Sequence, residues 1–182
     1  RDVYDLGFKV MLSEGAKHVL GWKSPDYVYT DSQQKHLRLL LRNYSLSDDI
    51  AFRFSDRGWK DWPLTGEKYL SWLKAADGEI INLFMDYETF GEHQKEGSGI
   101  FDFMRFLPGI LLRDGSFEFT TPTQAARRHK PIAEIEVQDP ISWADEERDV
   151  TAWLGNELQQ DAYNMLYCQA ELLAPLNDIV LK

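Results

Sequence analysis

A chain of 182 residues has the length of one domain or of a large part of a bigger one, and 43% hydrophobic with 13% aromatic content suffices for a core without disulfide or metal staples. Thirty acidic residues against twenty Lys and Arg give a net charge of -10, the wrong sign for a phosphate-binding surface and a poor one for anionic lipid. The lone cysteine, Cys168, excludes an internal disulfide and a Cys-based zinc cluster, and no apolar run reaches the roughly eighteen residues of a membrane span, so neither nucleic acid nor a membrane is an expected partner. The first residue is Arg1, with neither an initiator Met nor a signal-peptide pattern, so a piece of a longer protein is expected, with cytoplasmic location.

In chain order, Lys9 to Leu12 is a short apolar run stopped by Ser13-Glu14-Gly15, and Leu37 to Leu41 is a second, stopped by Arg42-Asn43. Both predict buried strands. Ser47-Asp48-Asp49 followed by Ile50, Ala51 and Phe54 predicts a short helix capped at Ser47. Thr65 to Ala76 places Tyr69, Leu70, Trp72 and Leu73 on one helical face, with Asp77-Gly78 as a left-handed stop. Glu79 to Asp86, almost wholly apolar until it ends in charge, predicts a central buried strand. Ile100 to Leu107 has helical spacing and should break at Pro108-Gly109, while Thr121-Pro122 opens a helix running toward Arg128. Further strands are expected near residues 117–120 and, from alternation, at Ile132 to Val137. The tail from Asp145 to about Leu173 reads as two helical segments meeting near Asn156, with Trp153 on the apolar face beside Val150 and Leu154 and therefore in the core. Strand and helix alternate, which argues for a parallel α/β layer or barrel with a helical C-terminal part.

In parallel α/β folds catalytic groups gather at the carboxyl ends of strands. Two such ends carry carboxylates: Glu14 after Val10-Met11-Leu12-Ser13, and Asp86 closing Ile80 to Met85. After Asp86, the stretch Tyr87-Glu88-Thr89-Phe90-Gly91-Glu92-His93 adds two more carboxylates and an imidazole. A solvated strand end is one reading of this cluster. Asp86, Glu88, Glu92 and His93 are acceptable metal-ligand types, yet no close His pair or known metal spacing supports a metal site, so none is expected. Paired carboxylates also suit glycoside hydrolysis, in which one protonates the leaving oxygen and the other attacks or stabilises the oxocarbenium-like centre. Six Trp and eight Tyr agree with that chemistry, because flat aromatic faces pack on the C–H face of a pyranose. Trp143, in an apparent loop after Asp139-Pro140, is the leading sugar-stacking candidate, and Trp22 is a second.

The segment I-I-N-L-F-M-D-Y-E-T-F-G-E-H-Q from Ile80 to Gln94 closely resembles the α-amylase-like members of glycoside hydrolase family 57. G-F-K-V-M-L-S-E-G (Gly7 to Gly15), G-W-K-S-P-D-Y (Gly21 to Tyr27) and S-W-A-D-E-E-R-D-V-T-A-W-L-G-N (Ser142 to Asn156) agree with it in the same order. The resemblance implies part of a seven-stranded (β/α) barrel over residues 1–140, a helical region packed on it over 141–182, and retaining action on α-1,4-glucans with no cofactor. It makes Glu14 the nucleophile and Asp86 the general acid/base, with Trp22, Glu88, Phe90, His93, Trp143 and Asp145 as substrate-binding candidates. Burial against Phe84 and Met85, with Glu14 nearby, is expected to raise the Asp86 pKa toward that role. The family's His-Gln-Pro motif and its second conserved region, both upstream of the nucleophile, are absent from these residues. A seven-stranded barrel cannot close with the strands predicted here, so the piece alone should be inactive and poorly packed. Members also include glucanotransferases and branching enzymes, and a non-catalytic glucan-binding protein of the same fold is the rival from another class.

Overall fold

The computed structural model describes residues 2–173, and the end of the helical region expected over 141–182, residues 174–182, lies outside the described residues. The chain divides into two compact units, one running through Glu136 and the other starting at Val137.

The first unit is built on a four-stranded sheet of order β1-β3-β2-β4, comprising β1 (Val10–Glu14), β2 (Val28–Asp31), β3 (Arg38–Arg42) and β4 (Glu134–Ile135). β1 and β3, both foreseen from their apolar runs, pair in parallel. β2 runs antiparallel to β3 and parallel to β4, so the sheet is mixed where a parallel layer was expected. The antiparallel pair arises because β2, a short Val-Tyr-Thr-Asp segment, returns directly to β3 through the turn at 32–37, where Asp31 Oδ1 accepts from Gln33 N and Gln34 N. β3 is covered on both faces: Leu39 and Leu41 join Leu20, Tyr29, Leu37 and Ile135, while Leu40 joins Val28 and Ala125. Alternating side chains along one strand serve two layers of core in this way.

Five helices of this unit follow the connections: α1 (Asp2–Asp5), α2 (Lys17–Leu20), α3 (Tyr44–Ala51), α4 (Gly66–Ala75) and α5 (Ile100–Asp114). A sixth, α6 (Pro122–Arg128), starts in a full capping box between Thr121 and Gln124. Helix α3 begins ahead of the expected Ser47 because Asn43 takes the cap, its side chain accepting from Leu46 N. Helix α4 starts at the Thr65 cap as foreseen, but it ends in extended backbone at Ala76 instead of a left-handed stop. Gly78 is required for a different reason. A Cβ there would lie 2.1 Å from the Asp26 carbonyl oxygen, so only glycine lets the two backbone segments meet. Helix α5 runs through Pro108 to Asp114, beyond the expected break. Pro108 forfeits one helical hydrogen bond, and burial of Leu107 and Leu111 on either side of it outweighs that loss. Helices α3, α4 and α5 close a second core around Ile50, Tyr69, Ile100 and Phe103.

The expected central strand at 79–86 is not a ladder strand. Its alternation is kept, since Ile81, Leu83 and Met85 pack on the helical core while Ile80 meets the sheet core. Its backbone, however, is satisfied by single groups: Glu79 N and Ile80 N donate to Asp26 O, Asn43 N donates to Asn82 O, and Phe84 N donates to Ser47 Oγ. The segment crosses the carboxyl end of β3 and the start of α3, where no neighbouring strand offers a register. Residues 117–120 likewise pair with no strand; Phe117 packs on the helical core and Glu118 bonds Arg128.

The second unit holds α7 (Thr151–Leu154) and α8 (Glu157–Leu173), which meet at Gly155-Asn156 as expected. Trp153 is exposed, contrary to its core assignment, because the four residues of α7 are too short to present an apolar face. No described helix is long and apolar enough to cross a membrane.

Candidate active site

Glu14 is the last residue of β1 and Arg42 the last of β3, and the parallel register sets them side by side. The Glu14 carboxylate is 5% exposed and accepts from Arg42 Nη1 at 3.2 Å through Oε2 and from Gly15 N at 2.9 Å through Oε1. Gly15 is what lets this corner close, since a Cβ there would sit 2.3 Å from the Arg42 carbonyl oxygen. Arg42, 3% exposed, spends its other donors on Asp48 Oδ1 at 2.5 Å and on the Phe84 carbonyl at 2.7 Å. One guanidinium thus joins the end of β1, helix α3 and the segment that carries Asp86. Buried charges need such pairing, because an unpartnered one costs several kcal/mol.

Asp86 lies two residues past Phe84 and starts a 3-10 turn over Tyr87–Thr89. It is exposed, so the burial against Phe84 and Met85 expected for it is absent; Met85 is instead turned onto the helical core. Glu88 and His93 are exposed as well, and the Glu88 carbonyl accepts from Glu92 N and His93 N. Phe90 is half-buried against the helical core, and Gln94 behind it is buried, its amide donating to the Ala51 carbonyl. The loop is therefore pinned by Phe90 and Gln94, while its acidic groups and imidazole face outward. Among the described residues no three His, Cys, Asp or Glu side chains converge as a metal site.

Trp22 is 92% exposed in the loop after α2, with Lys23 Nζ 5.7 Å from its ring centre. Trp143 and Asp145 belong to the second unit. There Arg148, at a left-handed φ of 60°, donates through Nη1 to the carbonyls of Trp143 and Asp145, and Asp145 Oδ1 accepts from Arg148 N. This closes a compact loop with Trp143 at 42% exposure.

Sequence reasoning passed over three charged groups in or beside this site. Arg42 and Asp48 are two; the available signal was an Arg directly ending the second apolar run, in line with a Glu ending the first. Asp26 is the third, in the Ser24-Pro25-Asp26-Tyr27 loop. It is 2% exposed, both its oxygens accept from Asn43 Nδ2 (3.1 and 2.9 Å), and burial pushes its carboxyl up to about 6 against the opposing effect of those hydrogen bonds. Asp26 therefore ties the loop after Trp22 to the cap of α3.

The sequence profile of Glycosyl hydrolase family 57 matches residues 1–138, which takes in the whole sheet, Glu14, Arg42 and the Asp86 loop. The chain belongs to this family. A protein of Methanocaldococcus jannaschii named "Putative alpha-amylase" is 48% identical over 164 residues, covering 89% of this chain and 35% of that protein. The family 57 chain thus spans about a third of the length of this relative. No solved structure matches it.

Proposed function

We propose that the protein containing this chain is a retaining glycosidase acting on α-1,4-glucans, with Glu14 as nucleophile and Asp86 as general acid/base. The observation that carries this reading is the Arg42 link: a buried, charge-paired carboxylate at the end of β1 shares one guanidinium with the backbone two residues before Asp86. In the first step Glu14 attacks the anomeric carbon while Asp86 gives its proton to the departing glycosidic oxygen, leaving a glucosyl ester on Glu14. In the second, Asp86, now ionised, takes a proton from water as the water oxygen displaces Glu14, which restores both groups. A sugar hydroxyl in place of water makes the same sequence a transfer. In the first unit Trp22 supplies a stacking surface, Glu88 and His93 supply hydrogen bonds to sugar hydroxyls, and Phe90 supports the loop that presents them; in the second unit Trp143 and Asp145 are candidate sugar contacts by themselves. The chain contributes part of a (β/α) barrel, a reading supported by the outer edge of β1, which pairs with no strand among the described residues.

The test is incubation of the protein, expressed from its complete gene, with maltooligosaccharides of defined length. Shortened products alone mean hydrolysis, and longer ones beside them mean transfer. Glucan binding without any new product would overturn the catalytic reading in favour of a binding protein.

A further inference from the structure

We propose that Arg42 is a positioning residue that fixes the two carboxylates relative to each other, holding Glu14 by its side chain and the Asp86 segment by the Phe84 carbonyl. This rests on the assignment of Glu14 as nucleophile. A double displacement needs its two carboxyl groups about 5 to 5.5 Å apart, and small errors in that spacing are costly in rate. Here the two groups sit on segments that share no strand pairing, so backbone ladders cannot set their distance. The Arg42 fork can. Its Nη1 reaches Glu14 at 3.2 Å and its Nε reaches the Phe84 carbonyl at 2.7 Å, from one rigid planar group. Asp48 at 2.5 Å from Nη2 keeps that plane from rotating, and Ser47 Oγ, one residue earlier on α3, accepts from Phe84 N.

The choice of arginine fits this task. Three donors in a fixed plane can meet three different elements at once, whereas a lysine ammonium is a point charge on a flexible stem.

The experiment compares Arg42→Lys and Arg42→Met with wild type in the protein expressed from its complete gene, by kcat and KM on a maltooligosaccharide across pH and by thermal melting. Arg42→Lys keeps a charge but loses the fork, and should lower kcat roughly ten- to a hundredfold with KM within about twofold. Arg42→Met removes the charge too, and should lower kcat at least as much. If the Lys variant melts like wild type and keeps wild-type kcat, the positioning role is overturned. Failure of the Lys variant to fold would also overturn it, by showing the contact to be structural. Failure of the underlying reading is separate: Glu14→Gln would then retain turnover whatever the Arg42 variants do.

Discussion

The two carboxylates assigned to the reaction sit in opposite surroundings. Glu14 ends a sheet strand, is almost wholly buried, and has each oxygen met by a donor. Asp86 starts an exposed 3-10 turn on a segment that borrows its backbone partners one at a time. The difference suits the roles proposed for them. A nucleophile must be ionised and aimed before substrate arrives, which favours rigid donors around it. An acid/base must gain and lose a proton in every cycle, which favours access to water.

The largest expected effect tests the rigid half. Glu14→Gln keeps the shape of the side chain and removes the nucleophile, so turnover should fall about ten-thousandfold or more while the melting temperature stays near wild type. Near-normal turnover in that variant would end the assignment.

The exposed half gives the next effect. Asp86→Ala should cost about a hundred- to ten-thousandfold on natural glucans and much less on aryl glycosides whose leaving groups need little protonation. Equal losses for good and poor leaving groups would erase the contrast between the two carboxylates. Because Asp86 is exposed and pins no other element, the variant should melt as wild type does.

How far this contrast was legible in the sequence depends on what sets each contact. Strands β1 and β3 and helices α4 and α6 were readable, because apolar runs, a Thr cap and a Thr-Pro start are local signals. The stretch 79–86 was misread, since alternation of apolar residues reports burial on two sides and says nothing of whether the edges find a partner strand. The Pro108 break was misread for the converse reason: a local penalty was outweighed by core contacts of Leu107 and Leu111. The Glu14–Arg42–Asp48 link depends on the register between β1 and β3, which nothing within either strand encodes. Glu14 and Asp86 could be named as candidates from the motif, whereas the Arg42 contacts to Glu14 and to the Phe84 carbonyl could not.

A third test sharpens the comparison at the border between rigid core and loop. Asp26 is buried, and its carboxyl is raised from the ordinary 3.8 to about 6, chiefly by loss of water around the charged form. A folded-state value above the unfolded one means that the neutral acid favours folding. That contribution is full below about pH 4 and is lost as pH rises through 6. The shift corresponds to ~3 kcal/mol at most. Asp26→Asn removes the titration, so the stability advantage of wild type over the variant should shrink by up to that amount between pH 4 and 7, read by denaturant melts at each pH. A difference that stays constant across this range would mean that Asp26 is solvated in the folded protein.

The smallest expected effect belongs to the exposed aromatics. Trp143 sits in a loop whose backbone is held by Arg148, through the carbonyls of Trp143 and Asp145 and the Asp145 carboxylate, so the loop's shape does not rest on the indole alone. A residue left 42% exposed has apolar ring area available to a sugar face. Stacking of that kind contributes about 1 kcal/mol, so Trp143→Ala should raise KM for oligosaccharides roughly three- to tenfold and leave kcat and melting temperature almost unchanged. Trp22 offers the matched comparison in the other unit. At 92% exposure its removal costs the fold nothing, so any rise in KM for Trp22→Ala reports substrate contact directly. If Trp143→Ala lowers the melting temperature by several degrees with KM unchanged, its ring packs the loop, and Trp22 alone remains as the stacking surface.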